Sequence, residues 1–215
     1  MLTTEHKKVV IIDDHVIIRQ SLKALVNTIP GLKATAEGSN PSGIFESCEK
    51  NQPDILLMDI SFPEHNGIDF IKNIKKYYPK VSILVISTHP EQLYALKAIK
   101  AGASGYINKS QPLEDYVTAI EMVLEDKNYI NSTVSQLMSQ SYQDGRNKDG
   151  INHLSTRELQ TLQLIASSLT VTKIAEKLNL SVKTVSMYRS RLLMKLGLKN
   201  NSELILFAIK NKIVD

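Results

Sequence analysis

The chain has 215 residues, 42% of them hydrophobic and 22% charged, which leaves room for two small domains with ordinary packed cores. A single cysteine, Cys48, excludes an internal disulfide and fits a small core thiol, so a disulfide-stapled secreted fold is not expected. No stretch approaches the roughly 20 apolar residues of a membrane span, and the first residues run into a strand and not into an export signal. A cytoplasmic protein with no membrane partner is expected. The net charge of +4 is unevenly spread: residues 1–131 hold 14 basic and 16 acidic side chains, while residues 151–215 hold ten and four. A basic C-terminal third points to a polyanionic partner for that part alone.

Taken in chain order, short apolar runs alternate with amphipathic stretches. Val9–Ile12 is a strand, and Leu22, Leu25, Val26 and Ile29 recur at helical spacing until Pro30-Gly31. Leu32–Glu37 is a weaker strand and Pro41–Lys50 a helix. Ile55–Met58 is a second apolar run, followed by a helix over Ile68–Tyr78. Ile83–Ile86, then a helix over Pro90–Ala101, Gly105–Ile107 and a helix over Pro112–Glu125 complete five strand–helix units. Runs without polar alternation are buried on both faces, hence a parallel sheet with helices on either side, in the doubly wound, flavodoxin-like order. Ligands of such sheets sit at the carboxyl ends of the strands.

Residues 139–150 are polar and glycine-punctuated and read as a flexible linker, preceded by Val134, Leu137 and Met138, which can extend a helix. The expected division is a domain over 1–130, a linker over 131–150 and a second domain over 151–215. The last part has no strands. Ser155-Thr156-Arg157-Glu158 fits a capping box, and helices follow over about 171–178, 182–196 and 202–210, with Gly197 as a stop. Short helices with tight turns and a basic third helix have the layout of a helix-turn-helix.

Three acids fall at strand ends: Asp13 and Asp14 after the first run, Asp59 after Ile55-Leu56-Leu57-Met58. Carboxylates held together repel unless neutralised, and a divalent cation, Mg²⁺ by preference, does this where few carboxylates meet phosphate and water. Lys109 follows the fifth strand and Ser87 closes the fourth. The edge therefore offers acids for a metal, a lysine for an anion and a hydroxyl for its oxygen, which suits a phosphoryl group carried on a carboxylate.

Asp13-Asp14, the segment Asp59-Ile60-Ser61-Phe62-Pro63-Glu64-His65-Asn66-Gly67, Ser87 and Gly105-Tyr106-Ile107-Asn108-Lys109 resemble the receiver domain of bacterial response regulators. That resemblance implies that Asp59 accepts the phosphoryl group, that Asp13, Asp14, Asp59 and the Ser61 carbonyl hold Mg²⁺, and that Lys109 pairs with the phosphoryl group. Ser87 and Tyr106 become the switch, Ser87 moving toward the phosphate and Tyr106 following inward. Phe62 and Ser110 stand where the family often has Met and Pro.

Leu154–Glu158, Ile174–Leu178, Ser181–Ser186 and Leu192–Gly197 resemble the LuxR-type helix-turn-helix, and the whole chain resembles the NarL/FixJ class, with its recognition segment nearest the BvgA/EvgA-like members. The implied partners are a sensor histidine kinase, double-stranded DNA carrying an inverted repeat, and a second copy of the chain. Thr170, Lys173, Lys183, Thr184, Ser186, Met187, Arg189, Ser190 and Arg191 are the expected DNA-facing residues, and Leu204, Phe207 and Ala208 the expected dimer contact. A phosphatase of the haloacid dehalogenase type also uses an Asp after a strand with Mg²⁺, but it wants a second Asp where Ser61 stands, and it leaves the basic third unexplained. A regulator, not an enzyme, is expected.

Overall fold

The computed structural model describes residues 6–40, 43–62, 66–143 and 150–214. The chain divides into two compact units, the first reaching Ser135 and the second beginning at Gln136.

The first unit is a five-stranded parallel sheet. Strands β1 (Lys7–Ile12), β2 (Leu32–Gly38), β3 (Ile55–Met58), β4 (Ser82–Ser87) and β5 (Gly105–Asn108) lie in the order β2-β1-β3-β4-β5, the doubly wound arrangement expected from the unbroken apolar runs. Helices α1 (Val16–Thr28), α2 (Ile44–Asn51), α3 (Gly67–Tyr77), α4 (Glu91–Ala101) and α5 (Leu113–Leu124) alternate with the strands. Alternate strand residues divide between the two faces. Val9, Ile11, Ile55, Leu57, Leu84, Ile86 and Ile107 pack with Leu22, Leu25 and Val26 of α1 and Ala119, Ile120 and Val123 of α5. The intervening Val10, Ile12, Leu56, Met58, Ile83 and Val85 are equally buried and face the side opposite α1 and α5 by the same alternation. This two-sided burial explains why the sequence carries no polar alternation in β1, β3 and β4. Cys48 on α2 is fully buried, and burial pushes its thiol up to about 11, so it behaves as an apolar core group.

A sixth helix, α6 (Ser132–Gln143), occupies the first part of the segment read as a linker. Its Val134 is buried, which is the helical extension suggested by Val134, Leu137 and Met138. Residues 144–149 of that segment lie outside the described residues, as do Pro41 of the predicted second helix and Pro63, Glu64 and His65 of the third strand's loop.

The second unit consists of a 3₁₀ turn (Ile151–His153) and four helices: α7 (Thr156–Ala166), α8 (Val171–Lys177), α9 (Val182–Leu196) and α10 (Asn201–Lys210). Each start is capped by the side chain the sequence supplies. Ser155 and Glu158 form the reciprocal capping box, Thr170, Ser181 and Asn200 each accept the backbone N–H three residues on, and Gly197, at φ +65°, ends α9 in the left-handed conformation. Leu159, Leu162, Ile165, Ile174, Val185, Leu192, Leu204 and Ala208 are buried and form the core of this small unit.

Candidate functional site

The backbone ladder continues past the strand ends and so fixes the residues that follow them. Ile12 pairs with Met58 and Ser87 with Asn108 in register. Beyond them the Asp13 N–H donates to the Gly38 carbonyl, the Asp59 N–H to the Ile12 carbonyl and the Lys109 N–H to the Ser87 carbonyl, at 3.1, 2.8 and 2.8 Å. The carboxyl edge of the sheet thus gathers Asp13, Asp59, Ser87 and Lys109.

Their side chains form one bonded group. Lys109 Nζ lies 2.7 Å from Asp59 Oδ2 and 2.6 Å from Asp13 Oδ2, with all three side chains almost fully buried. Burial pulls the Lys109 ammonium down, but its bonds to Asp13 and Asp59 outweigh that and hold its pKa above the ordinary lysine value. Asp59 Oδ1 accepts the Ile60 and Ser61 N–H groups at 2.6 and 2.9 Å. One oxygen of Asp59 is therefore held by two amides and the other by Lys109. The loop that presents these amides needs Gly67. A Cβ there would lie on the Ile60 backbone, 2.7 Å from its carbonyl oxygen.

Asp14 is at the rim, and its Oδ1 lies 2.7 Å from His15 Nδ1. Donor atoms of Asp13, Asp14, His15 and Asp59 all fall within 4.8 Å of one another. Asp13 Oδ2 and Asp14 Oδ1 are shielded from solvent and accept no hydrogen bond of good direction. Lys109 Nζ lies 2.6 Å from Asp13 Oδ2 and His15 Nδ1 lies 2.7 Å from Asp14 Oδ1, and both oxygens have lone pairs to offer a further cation. An acidic pocket of hard oxygen donors is the donor set a divalent cation requires.

Ser87 Oγ lies 2.9 Å from Ser61 Oγ and accepts the His89 N–H at 3.3 Å. Tyr106 is fully buried and donates its hydroxyl to the His89 carbonyl at 2.9 Å. Burial is the main cause that pushes this phenol far above its ordinary range. The Tyr106 ring, whose inward step on phosphorylation the resemblance implies, lies inside in this structure, and Ser87 is joined to Ser61. His89 is held below its ordinary pKa, first by burial, and stacks on Tyr94 with ring centroids 4.2 Å apart. The sequence reading missed His15, His89 and Arg19, whose guanidinium donates to the Asp13 carbonyl at 2.7 Å. His15 directly follows the acidic pair, which was the available signal; His89 and Arg19 carried none.

In the second unit, Thr170, Lys173, Lys183, Ser186, Met187, Ser190 and Arg191 are exposed. Lys183, Met187, Ser190 and Met194 recur at helical spacing on α9, so they share one outer face; Met194, 79% exposed, was not anticipated. Three expected contacts are engaged internally. Thr184 is half-buried with its hydroxyl 2.8 Å from Ser181 Oγ. Ser190 donates back to the Ser186 carbonyl at 3.0 Å. Arg189 is half-buried and donates Nε–H to Asn201 Oδ1 at 2.5 Å. The expected dimer contact needs a correction. Leu204 and Ala208 are fully buried and fill the unit's own core, because their spacing on α10 turns them toward α7; Phe207 is half-buried, and the apolar residues α10 presents outward are Leu206 and Ile209.

Residues 9–121 match the response regulator receiver domain, and residues 152–208 match the LuxR family of bacterial regulatory proteins. The chain is 34% identical to the oxygen regulatory protein NreC of Staphylococcus aureus, over 97% of this chain and 99% of that one. It is similar to RcsB of Salmonella enterica serovar Typhimurium, solved bound to the rprA promoter in the presence of phosphomimetic BeF₃⁻, with a TM-score of 0.69 and 27% identity over 94% of this chain and 98% of that one. A structure of two RcsB dimers bound to two parallel DNAs matches with a TM-score of 0.57 and 26% identity over 95% and 98%. The chain belongs to the response regulators of the NarL/FixJ class, a receiver domain followed by a LuxR-type helix-turn-helix domain. It is a regulator and not an enzyme.

Proposed function

We propose that a sensor histidine kinase phosphorylates Asp59 and that this controls dimerisation and sequence-specific binding of duplex DNA. The observation that carries the reading is the Lys109 ammonium bridging Asp59 and Asp13 at 2.7 and 2.6 Å, on a chain that also holds a LuxR-type unit. In the transfer, a bond forms between Asp59 Oδ2 and phosphorus as the donor's P–N bond breaks, and the imidazole leaves. Lys109 then faces the new phosphoryl oxygens and offsets part of their charge. Asp13, Asp14, Asp59 and the Ser61 carbonyl would hold Mg²⁺, which when bound would supply positive charge to the phosphoryl oxygens. Ser87 exchanges Ser61 for a phosphoryl oxygen, with Tyr106 packed beneath.

The proposed domains are 1–130 and 151–215, joined through 131–150, with α6 in that connection. The place of work is the cytoplasm; among the described residues no helix is long and apolar enough to cross a membrane. Two C-terminal units bind an inverted repeat, each with α9 in the major groove. Lys183, Ser186, Met187, Ser190 and Arg191 face DNA, Thr170 and Lys173 the backbone, and Leu206, Ile209 and the edge of Phe207 form the dimer contact. Arg189 and Thr184 support the helix from inside that surface.

Purified wild type and Asp59→Asn, each with and without acetyl phosphate and Mg²⁺, are compared for binding to genomic fragments selected by the protein. The expected result is tighter binding by phosphodonor-treated wild type alone. Equal binding in all four samples rejects phosphorylation control of DNA affinity.

A further inference from the structure

Glu91 opens α4 and is only 6% exposed. A carboxylate this deep is rare unless it is paired, and only one of its oxygens is. Oε2 accepts Asn131 Nδ2–H at 2.9 Å, while Oε1 is shielded and has no hydrogen-bond partner. Asn131 immediately precedes α6. Its Oδ1 accepts the Val134 N–H and its backbone carbonyl accepts the Ser135 N–H, each at 2.9 Å. One side chain thus holds the start of α4 with its nitrogen and the start of α6 with its oxygen.

Both ends of this contact are anchored to β5. The Tyr129 N–H donates to the Ser104 carbonyl at 2.8 Å, and Tyr129 bridges Gly105 in a parallel sense. Gly105 permits that approach, since a Cβ there would stand 2.9 Å from the Tyr129 Cβ. On the other side, the His89 carbonyl accepts both the Tyr106 hydroxyl and Asn108 Nδ2–H at 2.9 Å, and the His89 N–H reaches Ser87 Oγ. Only three residues separate Ser87 from Glu91, and His89 among them is bonded to Ser87, Tyr106 and Asn108, so the two side chains are joined by a short, hydrogen-bonded segment. The charge of Glu91 is felt by Tyr106 and Tyr129, whose phenols it helps burial to push upward. Oε1 is shielded and unbonded, so Glu91 is held to Asn131 through one oxygen alone, and a local change at such a contact can bias a two-state element.

We propose that Glu91 and Asn131 form a latch that passes the position of Ser87 to the first turn of α6, and that this turn is remade when Asp59 is phosphorylated. The latch rests on the proposed phosphorylation of Asp59. It makes Asn131 a positioning residue that neither the receiver pocket nor the DNA surface contains.

Asn131→Asp is the decisive variant. It keeps the oxygen that caps α6 and removes the donor to Glu91, setting two carboxylates against each other. Glu91→Gln is the conservative control, because its amide oxygen still accepts from Asn131. Amide hydrogen exchange of residues 132–138 is followed in the full chain before and after acetyl phosphate with Mg²⁺, alongside DNA affinity. In wild type and Glu91→Gln, exchange of the α6 first turn changes with phosphodonor and DNA affinity rises about tenfold or more. In Asn131→Asp, phosphate incorporation on Asp59 is retained, α6 exchange no longer responds, and the gain in affinity falls below about twofold. A wild-type response of α6 exchange in Asn131→Asp overturns the latch, as does an α6 that is silent in wild type while Asp59 is phosphorylated. If α6 responds in wild type but DNA affinity does not, the latch stands and phosphorylation control of DNA binding falls.

Discussion

The receiver pocket and the outer face of α9 are both assembled from residues named in the sequence, yet they are built in opposite ways. Asp13, Asp59 and Lys109 are buried, mutually bonded and fixed by a backbone ladder that runs on from the sheet. Lys183, Ser186, Met187 and Arg191 stand in solvent on a helix that is held only from its other side by Val185 and Leu192. The pocket is a preorganised site whose geometry is set before any ligand arrives. The α9 face is a presenting surface whose geometry depends on the small core behind it.

The sharpest way to break this comparison is to exchange the two sides of α10. Leu204→Asp places a charge in the core of the second unit, and it should unfold that unit outright, at a cost of about 4 kcal/mol or more. Leu206→Asp changes a side chain that is 66% exposed. It should leave the thermal unfolding of the chain within about 0.5 kcal/mol of wild type while weakening dimeric binding to DNA. Circular dichroism melts and DNA affinity separate the two. A folded Leu204→Asp protein that fails only to dimerise would restore Leu204 to the interface.

The contrast also explains what was legible in the sequence. The pocket was readable because a parallel sheet leaves little choice: residues that follow successive buried strands must meet at one edge, so Asp13, Asp59, Ser87 and Lys109 followed from position alone. On a helix, spacing gives a face but not its direction. Leu204, Phe207 and Ala208 share apolar character with a dimer contact and with a core, and only the packing of α10 on α7 decides between them. Arg189 was equally ambiguous, because its partner Asn201 lies across a turn and no periodicity links them. The first turn of α6 was visible as an apolar pattern, but its attachment to Glu91 was not, since that contact joins segments 40 residues apart.

The proposed acceptor Asp59 is 1% exposed, while several large apolar side chains a few residues beyond the strand ends are open to solvent. Val16 and Ile17, at the start of α1, are 60% and 80% exposed, and Leu113, at the start of α5, is 60% exposed. If Ile17 lies in the surface that docks the kinase, Ile17→Lys should slow phosphoryl transfer from the kinase about tenfold or more, the cost of a misplaced charge there. Phosphorylation by acetyl phosphate, which needs no docking, should be unchanged. Equal slowing of both donors would place Ile17 in the chemistry and not in recognition.

On α9 the expected effects are smaller and are separated by salt. Lys183→Ala should lower DNA affinity on all sequences alike and reduce the slope of log affinity against log salt by about one. Arg189 donates to Asn201 and is half-buried, so Arg189→Ala and Asn201→Ala should act through the same bond. Their effects on affinity should not add in the double variant, with a coupling of about 0.5–1.5 kcal/mol. Additive losses together with a reduced salt slope for Arg189→Ala would show instead that its guanidinium reaches a phosphate independently of Asn201.

The last expected effect concerns the support of that presenting surface. Glu158, in the capping box of α7, is 2% exposed and accepts the Ser155 N–H and Lys195 Nζ, each at 2.7 Å. Burial alone would raise its pKa, but the bonds from Lys195 and Ser155 prevail and hold it below the ordinary glutamate value. A carboxylate with a lowered folded pKa stabilises the native state above its unfolded value of about 4.3. As the pH falls from there through the folded pKa, the unfolded chain binds the extra proton first and the contribution is lost. Glu158→Gln should therefore cost about 1–2 kcal/mol near neutral pH, as a charged hydrogen bond made neutral, and the gap from wild type should close as the pH falls below about 4.3. Because the receiver's own carboxylates titrate in both proteins, the difference between the two calorimetric scans isolates Glu158. A gap that stays constant with pH would mean that Glu158 supports α7 by its shape and neutral bonds, with its charge contributing nothing to the link between α7 and α9.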